Sequence, residues 1–252
     1  MILEMDCGNS FIKWRVLCPR SSASMGGGTV AQPEELLQEL DRIDALKLSF
    51  CRFVSVRSEA ETLRLAEAVK DKFNVKVSVA ASSAALRGVV NGYEDFSRLG
   101  MDRWLALVAA YNLSGRACAV FDLGTAVTCD LVTSDGRHLG GYICPGIPLM
   151  RSQLQIHTSR IRYDQDSAAH AITLLEPGRN TVEAVERGCV LMMRSFVATQ
   201  VALAAEYIGA NHDVYLTGGD ALVAAEAVVG AHIVPDLVFQ GLALACPVCE
   251  ED

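Results

Sequence analysis

The sequence repeats one short motif at equivalent places in its two halves, and this repetition constrains the fold more than any other feature. Residues 2–5 (ILEM), apolar except for Glu4, precede the segment 6–10 (DCGNS), and the apolar residues 117–121 precede the segment 122–126 (DLGTA). A second strand-like run follows each motif, so both copies predict a strand, a tight turn and another strand. Internal repetition of this kind predicts two similar structural halves.

The 252 residues suffice for two domains of about 100–150 residues each. Hydrophobic residues make up 51% of the chain and charged residues 21%, which favours a sizeable core over disorder. We therefore predict an α/β protein with one half at residues 1–115 and a similar half at residues 116–252.

Hydrophobic spacing outlines the remaining elements of the first half. Ser58 and Glu61 form a capping box for a helix that ends near Phe73. The glycine-rich residues 24–28 predict a flexible loop that ends the first hairpin. The other predicted elements are helices at 33–46 and 100–112 and strands at 50–56 and 75–80.

The second half continues with strands after its copy of the turn, and then with helices. Its predicted elements are strands at 127–132, 137–143 and 214–216, a long helix over 182–210, and short helices near Ala221 and Gln240.

Each repeated turn carries groups that suit a phosphate. Its glycine permits close approach of a ligand to the backbone and a positive φ angle. Backbone N–H groups and the side chains of Asn9, Ser10 and Thr125 can donate hydrogen bonds to phosphate oxygens. An aspartate at a strand end is a hard oxygen ligand for a cation that neutralises phosphate charge. Ordinary hairpin turns also contain Asp and Gly, but two copies at equivalent positions favour a phosphate site.

A Gly-Gly turn at residues 217–220 (TGGD) joins a predicted strand to a predicted helix. Such a turn allows the backbone to pack closely against a flat ligand, although Gly-Gly pairs also end strands without any functional reason. The chain contains no GxxxxGK[ST] loop, so a P-loop kinase is not supported.

Further motifs follow the first turn in a fixed order. They are residues 100–103 (GMDR), 122–126 (DLGTA), 140–146 (GGYICPG), 180–181 (NT), 217–220 (TGGD) and 235–241 (PDLVFQG). With residues 6–10, this ordered set resembles the signature of the type III pantothenate kinases over nearly the whole chain. Ser10 stands where threonine is commoner in that family, and it keeps the hydroxyl.

The resemblance implies a fold and a reaction. The fold would be the duplicated ribonuclease H-like (actin-like ATPase, ASKHA) fold, with two similar α/β halves and mixed sheets. The reaction would be ATP-dependent phosphorylation of the primary hydroxyl of pantothenate to 4′-phosphopantothenate, the first step of coenzyme A biosynthesis. The cofactors would be Mg²⁺ with ATP, and a monovalent cation (K⁺ or NH₄⁺).

The resemblance also implies roles for individual residues. The ATP-binding residues would be Asp6, Cys7, Gly8, Asn9, Ser10, Phe11, Ile12, Lys13 and Thr125. The pantothenate-binding residues would be Tyr93, Gly100, Met101, Asp102, Arg103 and Thr181. Asp102 would also be the catalytic base, and Asp122 would bind the monovalent cation.

The residues themselves are consistent with these roles but leave alternatives open. Asp102 lies in the first turn of a predicted helix, where a carboxylate is favourable even if it only caps the helix. Arg103 could anchor a substrate carboxylate or pair with a surface acid. Tyr93 follows the turn signal Asn-Gly and could cover a site or simply pack on the surface. Thr181 is a candidate N-cap.

Several other features bear on partners. The apolar residues 190–193 and 196 are more than one buried face of a helix would contain, which favours a homodimer. In the family that the chain resembles, the substrate site lies near such an interface. Thr181 could therefore serve the neighbouring subunit's site. Acidic residues on the same helix argue against a membrane span. The stretch from Arg151 to Tyr163 could be a mobile loop near the phosphates, but a solvated face is the preferred interpretation.

The charge and the cysteines restrict the class of protein. A net charge of −8 argues against a nucleic-acid or anionic-membrane partner. Nine scattered cysteines and the lack of a signal-peptide pattern favour a reducing cytoplasm, and Cys246 with Cys249 fits a frayed tail better than a metal or redox site. Two alternatives stay open: a transcriptional accessory protein of the same family, and a kinase of the same fold with another acceptor.

Overall fold

The computed structural model describes residues 1–19, 21 and 23–248. The chain forms two compact units. Unit 1 contains Met1–Asn112 together with the segment that begins at Asp236, and unit 2 contains Leu113–Pro235. The boundary lies close to the expected one at residue 115, but the segment after Pro235 belongs to unit 1 and not to the second half. Cys249 lies outside the described residues.

Unit 1 contains a five-stranded sheet, a small hairpin and four helices within its described residues. Its elements are β1 (Ile2–Cys7), β2 (Ile12–Leu17), β3 (Ser24–Val30), α1 (Pro33–Asp41), β4 (Phe50–Ser55), α2 (Glu59–Phe73), β5 (Lys76–Val79), β6 (Ala85–Leu86), β7 (Val89–Val90) and α3 (Met101–Ser114), which runs two residues past the unit boundary. A 3₁₀ turn (Phe96–Arg98) precedes α3.

Unit 2 contains a second five-stranded sheet. Its elements are β8 (Cys118–Leu123), β9 (Ala126–Val132), β10 (His138–Pro145), α4 (Ile147–His157), α5 (Gln165–Ala171), α6 (Thr181–Ile208), β11 (Asp213–Thr217), α7 (Ala221–Ala225) and β12 (His232–Ile233). The chain then returns to unit 1 and ends its described part with α8 (Leu237–Ala245).

The two sheets have the same topology. The strand order is β3-β2-β1-β4-β5 in unit 1 and β10-β9-β8-β11-β12 in unit 2. In both sheets the first three strands in the chain are antiparallel and the last two run parallel to the central strand. The duplication inferred from the two motifs is therefore present strand for strand.

The prediction of a flexible loop at residues 24–28 is wrong, because these residues belong to edge strand β3. Gly27 and Gly28 pair with Arg15 and Trp14 of β2. A Cβ atom on Gly27 would lie 2.9 Å from the Trp14 carbonyl oxygen, and one on Gly28 would lie 3.3 Å from the indole nitrogen of Trp14. The glycines let β3 lie against the large Trp14 side chain, so they mark close packing.

Each unit has its own hydrophobic core. In unit 1, the alternating residues Leu3, Met5 and Cys7 of β1 pack with buried residues of α1 and α2. In unit 2, Phe121 and Leu123 of β8 pack with buried residues of α6 and α7. Because Leu3, Met5 and Cys7 face the core, Glu4 points to the opposite face of the sheet, where α8 packs.

Helix α6 is long and apolar enough to cross a membrane by length and composition alone. Core helices of water-soluble proteins meet the same criterion, and one such helix is weak evidence. The buried residues of α6 include Val190, Met193 and Val197, which belong to the core of unit 2. This packing agrees with the interpretation of a buried or interface helix.

Candidate active site

The first repeated turn connects the ends of β1 and β2 through residues 8–11. Asp6 is the penultimate residue of β1, opposite Lys13 of β2, and Cys7 lies opposite Ile12. The side chains of Asn9, Ser10, Phe11 and Lys13 are exposed, with Phe11 54% exposed. These four side chains therefore lie where a ligand can meet them.

Two of the predicted ATP-binding residues have side chains that a ligand cannot reach. Cys7 and Ile12 are fully buried in the core of unit 1, so only their backbone groups are available. Burial raises the pKa of the Cys7 thiol to about 12, and the nearby Asp6 carboxylate adds to the shift. Cys7 is thus a neutral packing residue and not a nucleophile.

The second repeated turn is shorter, since only residues 124–125 connect β8 to β9. Leu123 lies opposite Val127, and the Gly124 N–H donates to the Ala126 carbonyl oxygen at 3.1 Å. The expected positive φ angle is wrong for Gly8 and Gly124, neither of which is among the glycines with positive φ. A Cβ atom on Gly124 would lie 3.8 Å from the Ala126 carbonyl oxygen and from Oδ1 of Asp122, an ordinary contact distance.

Two other glycines pack directly on the second turn. The Gly146 N–H donates to the Thr125 carbonyl oxygen at 2.9 Å, and a Cβ atom on Gly146 would lie 2.0 Å from the Gly124 carbonyl oxygen. Gly218 has a φ angle of 91°, and a Cβ atom there would lie 2.6 Å from Oδ1 of Asp122. The motifs at 140–146 and 217–220 therefore meet around residues 122–126.

The surroundings of Asp122 are rich in oxygen atoms. The hypothetical Gly218 Cβ position is 2.6 Å from the Asp122 carboxylate and 2.4 Å from the Leu123 carbonyl oxygen. The Asp220 N–H donates a hydrogen bond to that carbonyl oxygen at 2.9 Å. A carboxylate beside a backbone carbonyl oxygen supplies hard oxygen donors, so the chemistry of these two groups is compatible with the expected cation.

The predicted acceptor residues of unit 1 gather at the N-terminus of α3. Nη1 of Arg103 donates to the Tyr93 hydroxyl at 2.9 Å, and its guanidinium carbon lies 5.8 Å from the centre of the Tyr93 ring. The Tyr93 N–H in turn donates to Oδ1 of Asn91 at 3.0 Å, which fixes the loop. Arg103 is only 7% exposed, so its side chain is largely buried beside Tyr93.

Asp102 occupies the first turn of α3, as the sequence predicts. Its Oδ1 accepts a hydrogen bond from the Arg103 N–H at 2.8 Å. Within the described part of the chain, Oδ2 has no hydrogen-bond partner. Met101 has a different environment, because its sulfur accepts a hydrogen bond from the Ser82 hydroxyl at 3.0 Å. Met101 therefore anchors the start of the helix to a neighbouring loop.

Gly100 determines where the Asp102 carboxylate can lie. A Cβ atom on Gly100 would be 2.9 Å from Oδ1 of Asp102, closer than real Cβ atoms approach an oxygen. We expect Gly100→Ala to displace the carboxylate and lower kcat/KM about 10- to 100-fold, with the unfolding free energy changed by at most about 1 kcal/mol.

Steady-state kinetics and urea unfolding test this expectation. Gly188→Ala is the matched control, since a Cβ atom on Gly188 of α6 would meet no atom within 4 Å. Wild-type kcat/KM in Gly100→Ala would show that this glycine does not set the position of Asp102.

Thr181 does not cap α6, contrary to the simplest interpretation of the sequence. The N-cap is Asn180, whose Oδ1 accepts the Glu183 N–H at 2.9 Å. Thr181 is the first helical residue and its side chain is exposed. Asparagine and threonine both cap well, so adjacent candidates cannot be separated by residue type. The Thr181 hydroxyl is consequently available for another contact.

The interpretation of residues 151–163 as a solvated face holds for Arg160 and Arg162, which are exposed and lie after the end of α4, but it does not hold for Arg151. Arg151 lies on α4 and makes two hydrogen bonds of 2.5 Å with the carboxylate of Glu186 on α6. The Tyr163 hydroxyl donates to the same carboxylate at 2.6 Å. Burial raises the pKa of Glu186, but these hydrogen bonds outweigh it and hold the pKa below its usual value.

This ion pair was not predicted as part of the site. It fixes α4, which begins directly after Gly146, against α6, which begins at Thr181. Only one sequence signal was available for it: Glu186 is an acidic residue within the apolar pattern of α6. Arg151 and Glu186 therefore belong to the scaffold that positions the second turn and Thr181 within unit 2.

The fold defines the broad class of the chain. An activator of 2-hydroxyisocaproyl-CoA dehydratase from Clostridium difficile, solved with bound ADPNP, matches 97% of the chain and 92% of its own length with a TM-score of 0.52 and 12% identity. A propionate kinase from Francisella tularensis covers 96% of the chain and 98% of its own length with a TM-score of 0.54 and 11% identity. The predicted duplicated actin-like (ASKHA) fold is confirmed.

The family follows from sequence comparison. The model of the family described as type III pantothenate kinase matches residues 2–203. A type III pantothenate kinase from Pseudomonas fluorescens is 55% identical over 247 residues, 98% of this chain and 99% of the relative. One from Pseudomonas aeruginosa is 56% identical over 248 residues, 98% and 100% of the two chains. The chain belongs to the type III pantothenate kinase family.

Membership in this family confirms the predicted activity. The chain is a kinase that transfers phosphate from ATP to pantothenate in coenzyme A biosynthesis. As a kinase it uses ATP with a divalent metal ion.

Proposed function

We propose that the two groups of residues described above divide the reaction between them. In this proposal, Asp6, Gly8, Asn9, Ser10, Phe11 and Lys13, with the backbone of Cys7 and Ile12, bind the phosphates of ATP, and Thr125 also contacts ATP. The single observation that carries the proposal is the strand-for-strand duplication, because it places the two Asp-x-Gly turns at the same strand ends of two like sheets. Exposed side chains at residues 9–11 support it.

On the acceptor side, Tyr93, Gly100, Met101, Arg103 and Thr181 bind pantothenate and Asp102 is the catalytic base. The Asp102 carboxylate accepts the proton of the primary hydroxyl as the hydroxyl oxygen bonds to the γ-phosphorus and the bond to the ADP oxygen breaks. Oδ1 already accepts the Arg103 N–H at 2.8 Å, so Oδ2 is the atom assigned to the proton. Phosphoryl transfer mainly requires alignment, which a carboxylate fixed at one oxygen supplies.

Arg103 supplies positive charge on this side. Its guanidinium is held by the Tyr93 hydroxyl and nearly covered, which leaves few orientations open to it. A planar cation fixed in this way pairs well with a carboxylate such as that of pantothenate.

We also propose that Asp122 binds a monovalent cation, K⁺ or NH₄⁺. The support is the carboxylate itself, the adjacent backbone oxygens and the positive-φ glycine that keeps a side chain away from them. Mg²⁺ bound with ATP would neutralise charge on the phosphates during transfer.

The proposed assembly is a cytoplasmic homodimer. Leu191 and Met192 of α6 are exposed, with Met192 65% exposed, and apolar side chains next to each other on a helix favour association. Thr181 at the start of the same helix would then serve the neighbouring subunit's site.

The cation proposal predicts potassium-dependent turnover. ADP formation with ATP, Mg²⁺ and pantothenate should require K⁺ or NH₄⁺, and Asp122→Asn should raise the K⁺ concentration for half-maximal rate about tenfold or more, since loss of a charged ligand is expected to weaken binding by at least about 1.4 kcal/mol. Asp135→Asn, in the exposed turn before β10, is the matched control. Equal turnover in Na⁺ and K⁺ would contradict the proposal.

A further inference from the structure

We propose that Arg57 is a positioning residue for the phosphate turn: it holds the Gly8–Asn9 peptide so that the Asn9 N–H is presented to a phosphate oxygen of ATP. The inference rests on the proposed function, because it takes residues 8–11 to be the phosphate-binding segment. Arg57 is outside the sequence motifs described above, and it lies two residues after β4.

The geometry begins with the pairing of β1 and β4. These strands are parallel, and Ser55 lies opposite Cys7. The Val56 N–H donates to the Cys7 carbonyl oxygen at 3.1 Å, and Nε of Arg57 donates to the next carbonyl oxygen, that of Gly8, at 2.8 Å. The arginine side chain therefore reaches from the end of one strand to the turn after its neighbour.

A peptide held at its carbonyl oxygen is also fixed at its N–H. In a trans peptide the C=O and N–H bonds are coplanar and point in opposite directions, so the Asn9 N–H points away from Arg57. Asn9 is exposed, and within the described residues its N–H has no hydrogen-bond partner. This N–H is consequently available to an anion on the open side of the turn.

Without Arg57 the opposite orientation of this peptide would be accessible. Gly8 has no Cβ atom, so rotation of the following peptide meets little steric resistance. Rotation would turn the Gly8 carbonyl oxygen toward the site, where it would repel a phosphate. A charge-assisted hydrogen bond is stronger than a neutral one, and Arg57 therefore stabilises the orientation that binds an anion.

Hydrogen bonds fix the position of the Arg57 backbone. Its N–H donates to the Ser55 hydroxyl oxygen at 3.2 Å, and that oxygen accepts the Thr62 hydroxyl at 2.8 Å. Glu61 is close enough to interact electrostatically with Arg57. Among the described residues no carboxylate forms an ion pair with Arg57 within 4.0 Å, so no such contact competes with the Gly8 carbonyl oxygen for the guanidinium.

The test compares Arg57→Gln with Arg57→Lys. We expect Arg57→Gln to raise KM for ATP about tenfold or more and to leave KM for pantothenate within about twofold, a split that general destabilisation does not produce. Arg57→Lys keeps a cationic donor and should recover part of the lost ATP affinity. Arg64→Gln is the matched control, because Nε of Arg64 also donates to a backbone carbonyl, that of Ala60, on the exposed face of α2.

Two further measurements distinguish a failure of the Arg57 inference from a failure of the proposed phosphate site. Calorimetric titration with a non-hydrolysable ATP analogue should show the same loss of affinity in Arg57→Gln and the same partial recovery in Arg57→Lys. Lys13→Ala reports on the phosphate turn itself. If Lys13→Ala weakens ATP binding and Arg57→Gln does not, the inference is wrong while the proposed function stands.

If neither variant affects ATP, the phosphate site is misplaced and both fail. Equal increases in both KM values together with a lower melting temperature would assign Arg57 a merely structural role. Should Arg57→Gln not fold, Arg57→Met is the second variant, because it also removes the cationic donor to the Gly8 carbonyl oxygen. Unchanged ATP affinity in Arg57→Met would likewise overturn the inference.

Discussion

We expect Asp102→Asn to lower kcat about 100-fold while KM for ATP stays within about twofold of the wild-type value. Asparagine preserves the size of the side chain and the acceptor for the Arg103 N–H, but it cannot take the proton of the acceptor hydroxyl. General bases contribute about 10²- to 10⁴-fold. A loose transition state needs the proton to leave late, so the lower end of that range is expected.

The measurement is ADP formation under saturating ATP and pantothenate. Asp95→Asn provides a matched control, because Asp95 is an exposed acid whose carboxylate caps the 3₁₀ turn just before α3. If Asp102→Asn turns over pantothenate at the wild-type rate, Asp102 is not the base and the acceptor side must be reassigned.

Glu4→Gln lowers the unfolding free energy by about 3–5 kcal/mol. Glu4 is fully buried in β1, and its carboxylate accepts from Nε of Arg15 at 2.5 Å and from Nε of Arg52 at 2.8 Å. Glutamine has nearly the same shape, but it removes the negative charge that both arginines face, and only Arg15 then keeps a carboxylate partner, Asp236. Breaking a buried pair from one side is costly for this reason.

Urea unfolding followed by circular dichroism gives the free energy. Glu39→Gln is the control, because Glu39 pairs with Arg42 on the exposed surface of α1, and such pairs contribute less than about 1 kcal/mol. A loss below about 1 kcal/mol in Glu4→Gln would mean that Arg15 and Arg52 find other partners, and the network would not be essential for stability.

The repeated pattern predicted the sheets well, because strand alternation and turn residues are local properties. The capping box of Ser58 and Glu61 is present, and the helices near Ala221 and Gln240 are found at α7 and α8. Helix α5 was not predicted, because its seven residues give too short a run for helical periodicity.

The polar networks could not be predicted in the same way. Arg52 and Glu4 are 48 residues apart in the chain, and Arg151 and Glu186 are 35 apart. Taken alone, each of these residues resembles an ordinary surface charge in the sequence, so its partner can be identified only from the fold. In the candidate site, the hydrogen bond between Arg103 and Tyr93 agrees with the family resemblance, which placed both residues on the pantothenate side. The contact of Arg57 could not be predicted, because its partner is a backbone carbonyl, which no residue type identifies.

The return of α8 to unit 1 has a consequence for synthesis on the ribosome. Arg15 donates to Asp236, 221 residues later, and Arg52 donates to the Cys246 carbonyl oxygen, 194 residues later. Unit 2 is continuous in the chain, so a nascent chain can finish folding it before unit 1 has received α8. Until α8 emerges from the ribosome, the buried Arg52 and the partly buried Arg15 lack their partners at Cys246 and Asp236, so unit 1 is the half that stays incomplete longest during synthesis.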